Sequence, residues 1–325
     1  MSRMYVLLFL GLVWACGPSD STQTDGKGKK QVELVLDVKA QLGEGAIWHA
    51  EKKELYWVDI EGRKLNIFNP STKQNQSIEV GERIGTVVPV KNELKAIVAL
   101  QNGIHLLNLE NQELTFVVNP EDSLENNRFN DGKCDPAGRL WVGSLSMASQ
   151  PEAAGLYRVD TDGTAKRMLD KVNISNGIIW SNDHKTLYYT DTPTLKIKAF
   201  DYDKVTGDIS NERVIIEVPE EMGAPDGMTI DAEGKLWVAH WGGSCVGRWN
   251  PETGELMEKV EVPALNVTSC AFGDEDLGTL YITTASVDMN EAQNEQYPLA
   301  GALFKIRPGV KGVKADHFVN EITKL

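Results

Sequence analysis

The chain has 325 residues, 41% of them apolar, and a formal net charge of −14 at pH 7. So acidic a balance speaks against nucleic acid or an anionic membrane surface as a partner. Helical periodicity is sustained over no long segment beyond the N-terminal leader, which excludes a mainly helical fold.

Residues 1–16 read as a lipoprotein signal peptide. Arg3 supplies a short positive region, and residues 4–14 form an apolar run too short for a comfortable membrane span. The run ends Val13-Trp14-Ala15-Cys16-Gly17, which resembles a bacterial lipobox except that Trp14 stands where a small residue is usual. Cys16 is therefore expected to be lipidated and to become the mature N-terminus. Residues 17–31, rich in Ser, Thr, Gly and Lys, would be a flexible tether to a domain over residues 32–325. The expected location is the bacterial cell envelope, periplasmic or anchored to the outer membrane, with the bilayer touched only through the lipid. Beyond Cys16, the cysteines Cys134, Cys245 and Cys270 are odd in number and unrelated in spacing, so they form no disulfide framework. No Cys/His pair has zinc-site spacing and the histidines do not cluster in sequence, so spacing points to no zinc site.

Residues 32–38 read as a strand preceding the first full repeat. Leu42-Gly43-Glu44-Gly45-Ala46-Ile47-Trp48 then leads through a polar turn to Leu55-Tyr56-Trp57-Val58. A weaker copy starts at Ile84-Gly85. Asn130-Asp131-Gly132 leads to Leu140-Trp141-Val142, and Ser175-Asn176-Gly177 to Leu187-Tyr188-Tyr189-Thr190. Pro225-Asp226-Gly227-Met228 passes through the turn Asp231-Ala232-Glu233-Gly234 to Leu236-Trp237-Val238-Ala239, and Ser269-Cys270 runs on to Leu280-Tyr281-Ile282-Thr283. Each copy is a pair of short strands joined by turn chemistry. The glycine-like positions Gly45, Gly85, Gly132, Gly177, Gly227 and Cys270 recur every 40–50 residues or so, the period of a four-stranded propeller blade. The fold class is accordingly all-β, a six-bladed β-propeller. Residues 302–306 are the expected partner of residues 32–38, closing the ring and removing exposed sheet edges.

Immediately before the six glycine-like positions stand Glu44, Ile84, Asp131, Asn176, Asp226 and Ser269. Equivalent residues at the start of equivalent strands converge on the axis at one end of the channel. Carboxylates brought so close repel one another unless a cation sits between them. Glu44, Asn176 and Asp226 make an all-oxygen set suited to one hard divalent cation, Ca²⁺ before Mg²⁺ because the geometry is irregular; Mn²⁺ and Zn²⁺ are the further alternatives.

These residues resemble the regucalcin/gluconolactonase family of six-bladed propellers over about residues 32–315. The resemblance is carried by Leu42-Gly43-Glu44-Gly45, by Arg128-Phe129-Asn130-Asp131-Gly132-Lys133 with Asp135-Pro136-Ala137-Gly138-Arg139, by Ser175-Asn176-Gly177, by Pro225-Asp226-Gly227-Met228, and by the closing Gly301-Ala302-Leu303-Phe304-Lys305-Ile306. It implies that Glu44, Asn176 and Asp226 bind the cation, that Arg128 and Asn130 contact substrate, and that Asp226 is also the general base. The matched-position argument puts Asp131 at the axis as well, so it joins Arg128 and Asn130 as a substrate-side candidate. One departure is visible: Ser146-Met147-Ala148-Ser149 lacks the substrate-contacting carboxylate that relatives with a longer loop carry there.

The implied activity is metal-assisted hydrolysis of a cyclic ester, a small-molecule sugar lactone. The Gly-x-Ser-x-Gly elbow of α/β-hydrolases is absent, which argues against a serine route to the same reaction. Two alternatives stand beside it: a related hydrolase of aryl esters or phosphotriesters, and a calcium-binding propeller without activity. Oligomeric state is not legible in the sequence.

Overall fold

Short apolar runs alternating with Asp, Asn and Gly turns fold into six four-stranded antiparallel sheets. The computed structural model describes Met1 and residues 31–322; Cys16, the leader reading and nearly all of the tether reading lie outside the described residues. Blades 1 to 5 are each built from consecutive strands, and their innermost strands are Gly43–His49, Ile84–Pro89, Asn127–Cys134, Ser175–Trp180 and Ala224–Ile230. Blade 6 combines Asn266–Gly273, Thr279–Ala285 and Leu303–Ile306 with the N-terminal strand Glu33–Leu36. Glu33 pairs with Lys305, Leu34 with Phe304 and Leu36 with Leu303. The first and last described strands thus share one sheet, the closure expected for residues 32–38 and 302–306.

Burial falls from the axis outward. The inner strand Gly43–His49 is buried throughout, whereas the outer strand Gln74–Glu79 of the same blade is largely exposed. Aromatic residues seal neighbouring blades to one another. Trp141 of blade 3 meets Trp180 of blade 4 edge to face at 5.7 Å, and Trp237 of blade 5 meets Phe272 of blade 6 at the same separation. Tyr281 of blade 6 stacks on Trp48 of blade 1 at 5.9 Å. Such pairs add to the area they bury.

Buried aspartates tie the hairpins of blades 3 and 5. The Asp231 carboxylate accepts from the backbone N–H of Glu233 and Lys235, from Trp237 Nε1 at 3.0 Å and from Arg248 Nε at 2.8 Å. Asp135 does the same with the N–H of Ala137 and Arg139, Arg139 Nε at 2.7 Å, Trp141 Nε1 at 3.1 Å and the Tyr202 hydroxyl at 2.7 Å. The turn between the two strands needs a left-handed residue, and Gly234 supplies it at φ 74°.

Beyond Leu303–Ile306 the chain crosses the end of the channel opposite to Glu44. Its backbone bonds join it to blades 5 and 6 through Ala232 N–H to Lys311 O and Gly312 N–H to Leu277 O. They continue to blades 2 and 3 through Phe318 N–H to Pro89 O and Val319 N–H to Gly138 O. Phe318 is fully buried. Among the described residues no helix is long and apolar enough to cross a membrane.

The Asp231 cluster yields a stability prediction. Asp231→Ala leaves the Arg248 guanidinium and two backbone N–H groups short of an acceptor, so unfolding free energy should drop by roughly 3–5 kcal/mol. Urea unfolding followed by tryptophan fluorescence measures it; a loss below about 1 kcal/mol would mean that this carboxylate does not hold the hairpin.

Candidate active site

All six inner strands slip register against their second strand at the same height. The shifts fall between Glu44 and Ile47, Ile84 and Thr86, Phe129 and Gly132, Asn176 and Ile178, Pro225 and Met228, and Val267 and Ser269. A β-bulge bends its strand and re-aims the side chain at the bulge. Here it is repeated around a ring. Close approach of neighbouring inner strands accounts for the glycines: a Cβ on Gly177 would lie 2.5 Å from Asp226 O, nearer than a carbon and a carbonyl oxygen can sit.

The bulges present three carboxylates in the same pose, each accepting the N–H of its following glycine. Gly45 N–H donates to Glu44 Oε2 at 3.1 Å and Gly132 N–H to Asp131 Oδ1 at 2.8 Å; Gly227 N–H does so for Asp226. All three are buried. Burial is the main force on the protonation of all three, and for Glu44 and Asp226 the charge of neighbouring carboxylates comes next. Glu44 is pushed up to about 8 by burial and then by Asp131. Asp226 is raised well above the ordinary carboxylate range by burial, then by Glu44 and Asp131, against which the Gly227 N–H and the Asn176 amide pull it down. Asp131 is raised by burial.

Asn176 is oriented from its own blade: its Nδ2 donates to Thr192 Oγ1 at 3.1 Å, and Thr192 Oγ1 donates to Pro225 O at 2.9 Å. Three buried oxygens of this group, Asp131 Oδ2, Asn176 Oδ1 and Asp226 Oδ1, have no hydrogen-bond partner. Buried acceptors in native proteins are normally satisfied. Oxygen atoms in surplus, with carboxylates pressing on one another, are the donor set of a hard cation.

Arg128 is 8% exposed. Its Nη1 donates to Phe129 O at 3.0 Å and to Asn130 Oδ1 at 2.7 Å, and Asn130 Nδ2 donates to Ser175 O of the next blade at 2.8 Å. Burial lowers the guanidinium to about 10, while the charges of Glu61, Glu44 and Asp226 hold it up. The consecutive residues of blade 3 therefore divide. Register puts Asn130, not Asp131, level with Glu44, Asn176 and Asp226, which corrects the matched position expected for Asp131. Asn130 braces Arg128 and ties blade 3 to blade 4, while the Asp131 charge still acts on Glu44 and Asp226. From blade 2, Ile84 is apolar and fully buried and gives the ring no polar group; from blade 6, Ser269 contributes a buried hydroxyl without a partner.

A cleft of about 510 Å³ opens over Arg128 and is lined also by Glu61, Arg83, Ser146, Met147 and Asn173. Arg83 Nε donates to both Glu61 oxygens at 2.9 and 3.0 Å, and its Nη1 reaches Met147 Sδ at 3.6 Å. The loop that lacks a carboxylate is thus capped against an ion pair from blades 1 and 2. Sequence reasoning missed Glu61, Arg83 and Thr192. The repeat alignment held the signal for two of them. Asp59 and Asp191 end equivalent second strands and each accepts two backbone N–H groups of the segment entering its own inner strand; Glu61 and Thr192 follow closely after them. Cys134, Cys245 and Cys270 are free and buried, with burial pushing the Cys270 thiol up to about 12, so they are packing residues.

A model of the SMP-30/Gluconolactonase/LRE-like region matches residues 42–286. The chain is 41% identical over 290 residues to YvrE of Bacillus subtilis, provisionally named a sugar lactone lactonase, the match covering 89% of this chain and 99% of that protein. It is 39% identical over 294 residues to regucalcin of Xenopus laevis, covering 89% and 98% respectively. The crystal structure of the calcium-binding protein regucalcin from Agrobacterium tumefaciens superimposes with a TM-score of 0.83 at 25% identity, covering 89% of this chain and 97% of that one.

The crowding of the carboxylates has a consequence for cation-free protein. Glu44 keeps its proton in the folded state up to about pH 8, whereas unconstrained it would lose it near 4.5. The folded state then binds more protons than the unfolded one across that interval. The stabilising contribution is therefore complete below pH 4.5 and is lost as pH rises toward 8. In chelator-treated protein the thermal midpoint should fall across this window, and Glu44→Gln should flatten the slope. An identical slope in wild type and Glu44→Gln would show that Glu44 titrates normally.

Proposed function

This chain belongs to the SMP-30/gluconolactonase/LRE-like family, and on that premise we propose that it hydrolyses a sugar lactone with one divalent cation, Ca²⁺ first, held by Glu44, Asn176 and Asp226. One observation carries the reading: Glu44, Asn176 and Asp226 stand buried at equivalent register positions, with the Asp131 charge acting on both carboxylates and with an oxygen of Asn176 and of Asp226 left without a partner. The name of the Bacillus relative supports the substrate class, and the Agrobacterium relative, a calcium-binding protein, supports calcium.

When bound, a divalent cation there supplies charge that polarises the lactone carbonyl and favours the ionised form of Asp226. Asp226 takes a proton from a water molecule as its oxygen bonds to the carbonyl carbon. The ring C–O bond then breaks, and the leaving oxygen takes up a proton to give the hydroxy acid. Arg128, fixed by Phe129 O and Asn130 Oδ1, donates to lactone oxygens from the wall of the cleft. The charge of Asp131, on blade 3, raises Asp226 of blade 5 and holds its basicity up. Glu61 and Arg83 set the polarity of the entrance, which suits a polyol. We further propose that Cys16 is lipidated and holds the domain at the cell envelope; Cys16→Ser should move the protein from the membrane fraction to the soluble one, and a membrane fraction that retains it would reject the anchor.

A panel of aldonolactones assayed with and without chelator, followed by add-back of Ca²⁺, Mg²⁺, Mn²⁺ or Zn²⁺, tests the activity. On the best substrate, Asp226→Asn should lower kcat by roughly 10²–10⁴-fold. Arg128→Ala should raise KM and leave cation binding intact. Glu44→Gln should weaken the cation so that excess metal recovers part of the rate. Near-native kcat for Asp226→Asn at saturating metal would remove Asp226 as the base and move that role to Asp131.

A further inference from the structure

At the far end of the channel three side chains from remote parts of the chain come together. His49 ends the inner strand of blade 1, Glu51 stands in the turn after it, and His317 belongs to the C-terminal crossing segment. His49 Nδ1 lies 3.2 Å from Glu51 Oε2, and His317 Nδ1 lies 4.0 Å from the same oxygen. The two imidazoles meet edge to face with centroids 4.6 Å apart. One ligand atom from each residue lies within 4.8 Å of the other two, and among the described residues no other trio of His, Cys, Asp or Glu is so placed.

A second observation concerns how that nitrogen is bonded. His49 is 7% exposed, and its Nδ1, though 3.2 Å from Glu51 Oε2, makes no well-aligned hydrogen bond. A buried ring nitrogen left in that state normally has one. The unpartnered atom is the one turned toward Glu51 and His317. Both rings are also in the form that binds metals: burial first, then the neighbouring His317, lowers His49 to about 4, and burial lowers His317.

The distances suit a small tetrahedral ion. Two ligand atoms each about 2.0–2.1 Å from Zn²⁺ in tetrahedral array stand about 3.3 Å apart. The 3.2 Å separation already matches, and the 4.0 Å one closes with a His317 shift of under 1 Å or so. The trio lines a cleft of about 660 Å³, which leaves room for solvent in the remaining positions. Lys52, Lys91 and Lys314 bring positive charge to the rim, but all three are exposed and their charges are screened by water and salt.

We propose that His49, Glu51 and His317 bind one divalent transition-metal ion of the zinc class through an N₂O set, and that the ion clips the C-terminal segment to blade 1. The backbone bonds of that segment go to blades 2, 3, 5 and 6, so the clip adds blade 1 to its attachments. Ligand chemistry separates this site from the ring at the other end. Imidazole nitrogens select zinc-class ions, whereas the all-oxygen ring of Glu44, Asn176 and Asp226 selects Ca²⁺.

The test uses the purified full chain, stripped with chelator and then saturated with Ca²⁺ so that the oxygen ring is taken. Zn²⁺ is titrated against a chromophoric chelator for wild type, Glu51→Gln and His317→Ala. Wild type should bind one equivalent of Zn²⁺ and gain thermal stability from it. Each variant should bind that equivalent at least about tenfold more weakly, since even the loss of an outer-shell partner costs that much. Co²⁺ in place of Zn²⁺ should give the intense visible bands of a four-coordinate ion in wild type and not in His317→Ala. Glu51 is exposed, so Glu51→Gln remains decisive where His317→Ala fails to fold. Equal Zn²⁺ affinity in wild type and Glu51→Gln, or no bound Zn²⁺ in wild type, overturns the proposal.

Discussion

Six inner strands must approach one axis, and at the bulges the backbone leaves no room for side chains between neighbours. That constraint explains why glycine follows a polar residue in four of the six repeats, and why a Cβ on Gly177 would collide with Asp226 O. It also explains how the blades are stitched. Thr86 Oγ1 donates to Gly132 O, Asn130 Nδ2 to Ser175 O and Thr192 Oγ1 to Pro225 O. Thr268 Oγ1 donates to Gly43 O and completes the circuit between blade 6 and blade 1. Each side chain satisfies a carbonyl that the bulge has released from its own ladder.

The same crowding separates two kinds of buried aspartate. Asp135 and Asp231 lie between backbone N–H groups, an indole and an arginine, and every lone pair has a donor in reach. Their burial is repaid by hydrogen bonds, and their role is to hold a hairpin. Asp131 and Asp226 are equally buried, yet Asp131 accepts only a glycine N–H and Asp226 a glycine N–H and the Asn176 amide, and each keeps an oxygen with no partner. Residue type and burial are alike, so the number of donors within reach is what separates the two pairs. Leaving buried acceptors unsatisfied costs stability, and a site that must bind something new has to accept that cost beforehand.

Blade-to-blade differences break the pseudo-symmetry where chemistry needs it broken. Blades 1, 3 and 5 carry Glu44, Asp131 and Asp226, whereas blade 2 brings Ile84 and blade 6 a serine, so the carboxylates come from alternate blades. Arg128 of blade 3 and the Glu61–Arg83 pair of blades 1 and 2 line one cleft. At the other end the inner strands finish in apolar and aromatic residues such as Trp48, Trp180 and Phe272, over which the C-terminal segment is laid. The channel therefore has a polar, open end and an apolar, covered one, made from a single repeated strand by the order of residues along it.

Period and position were legible in the sequence, because a blade is a local unit whose strands are joined by short turns. The repeat of Gly45, Gly85, Gly132, Gly177, Gly227 and Cys270 predicts six blades. The residue before the glycine is the register equivalent in blades 1, 4 and 5, at Glu44, Asn176 and Asp226, but not in blade 3, where register puts Asn130 in place of Asp131. The pairing of residues 32–38 with 302–306 was legible too, since a ring of sheets leaves two edges that have to join. Other features were decided by the tertiary structure alone. Asn130 and Asp131 are consecutive and both fall in the bulge, where alternation along the strand is lost; register puts Asn130 level with Glu44, Asn176 and Asp226, and its partners are Arg128 and Ser175. Glu61 and Arg83 reach one cleft from two blades, and His49, Glu51 and His317 meet only because the chain, having closed its ring, recrosses the far end. Spacing along a sequence encodes what repeats locally, whereas contacts between remote segments exist only after the ring has closed, and no local pattern marks them beforehand.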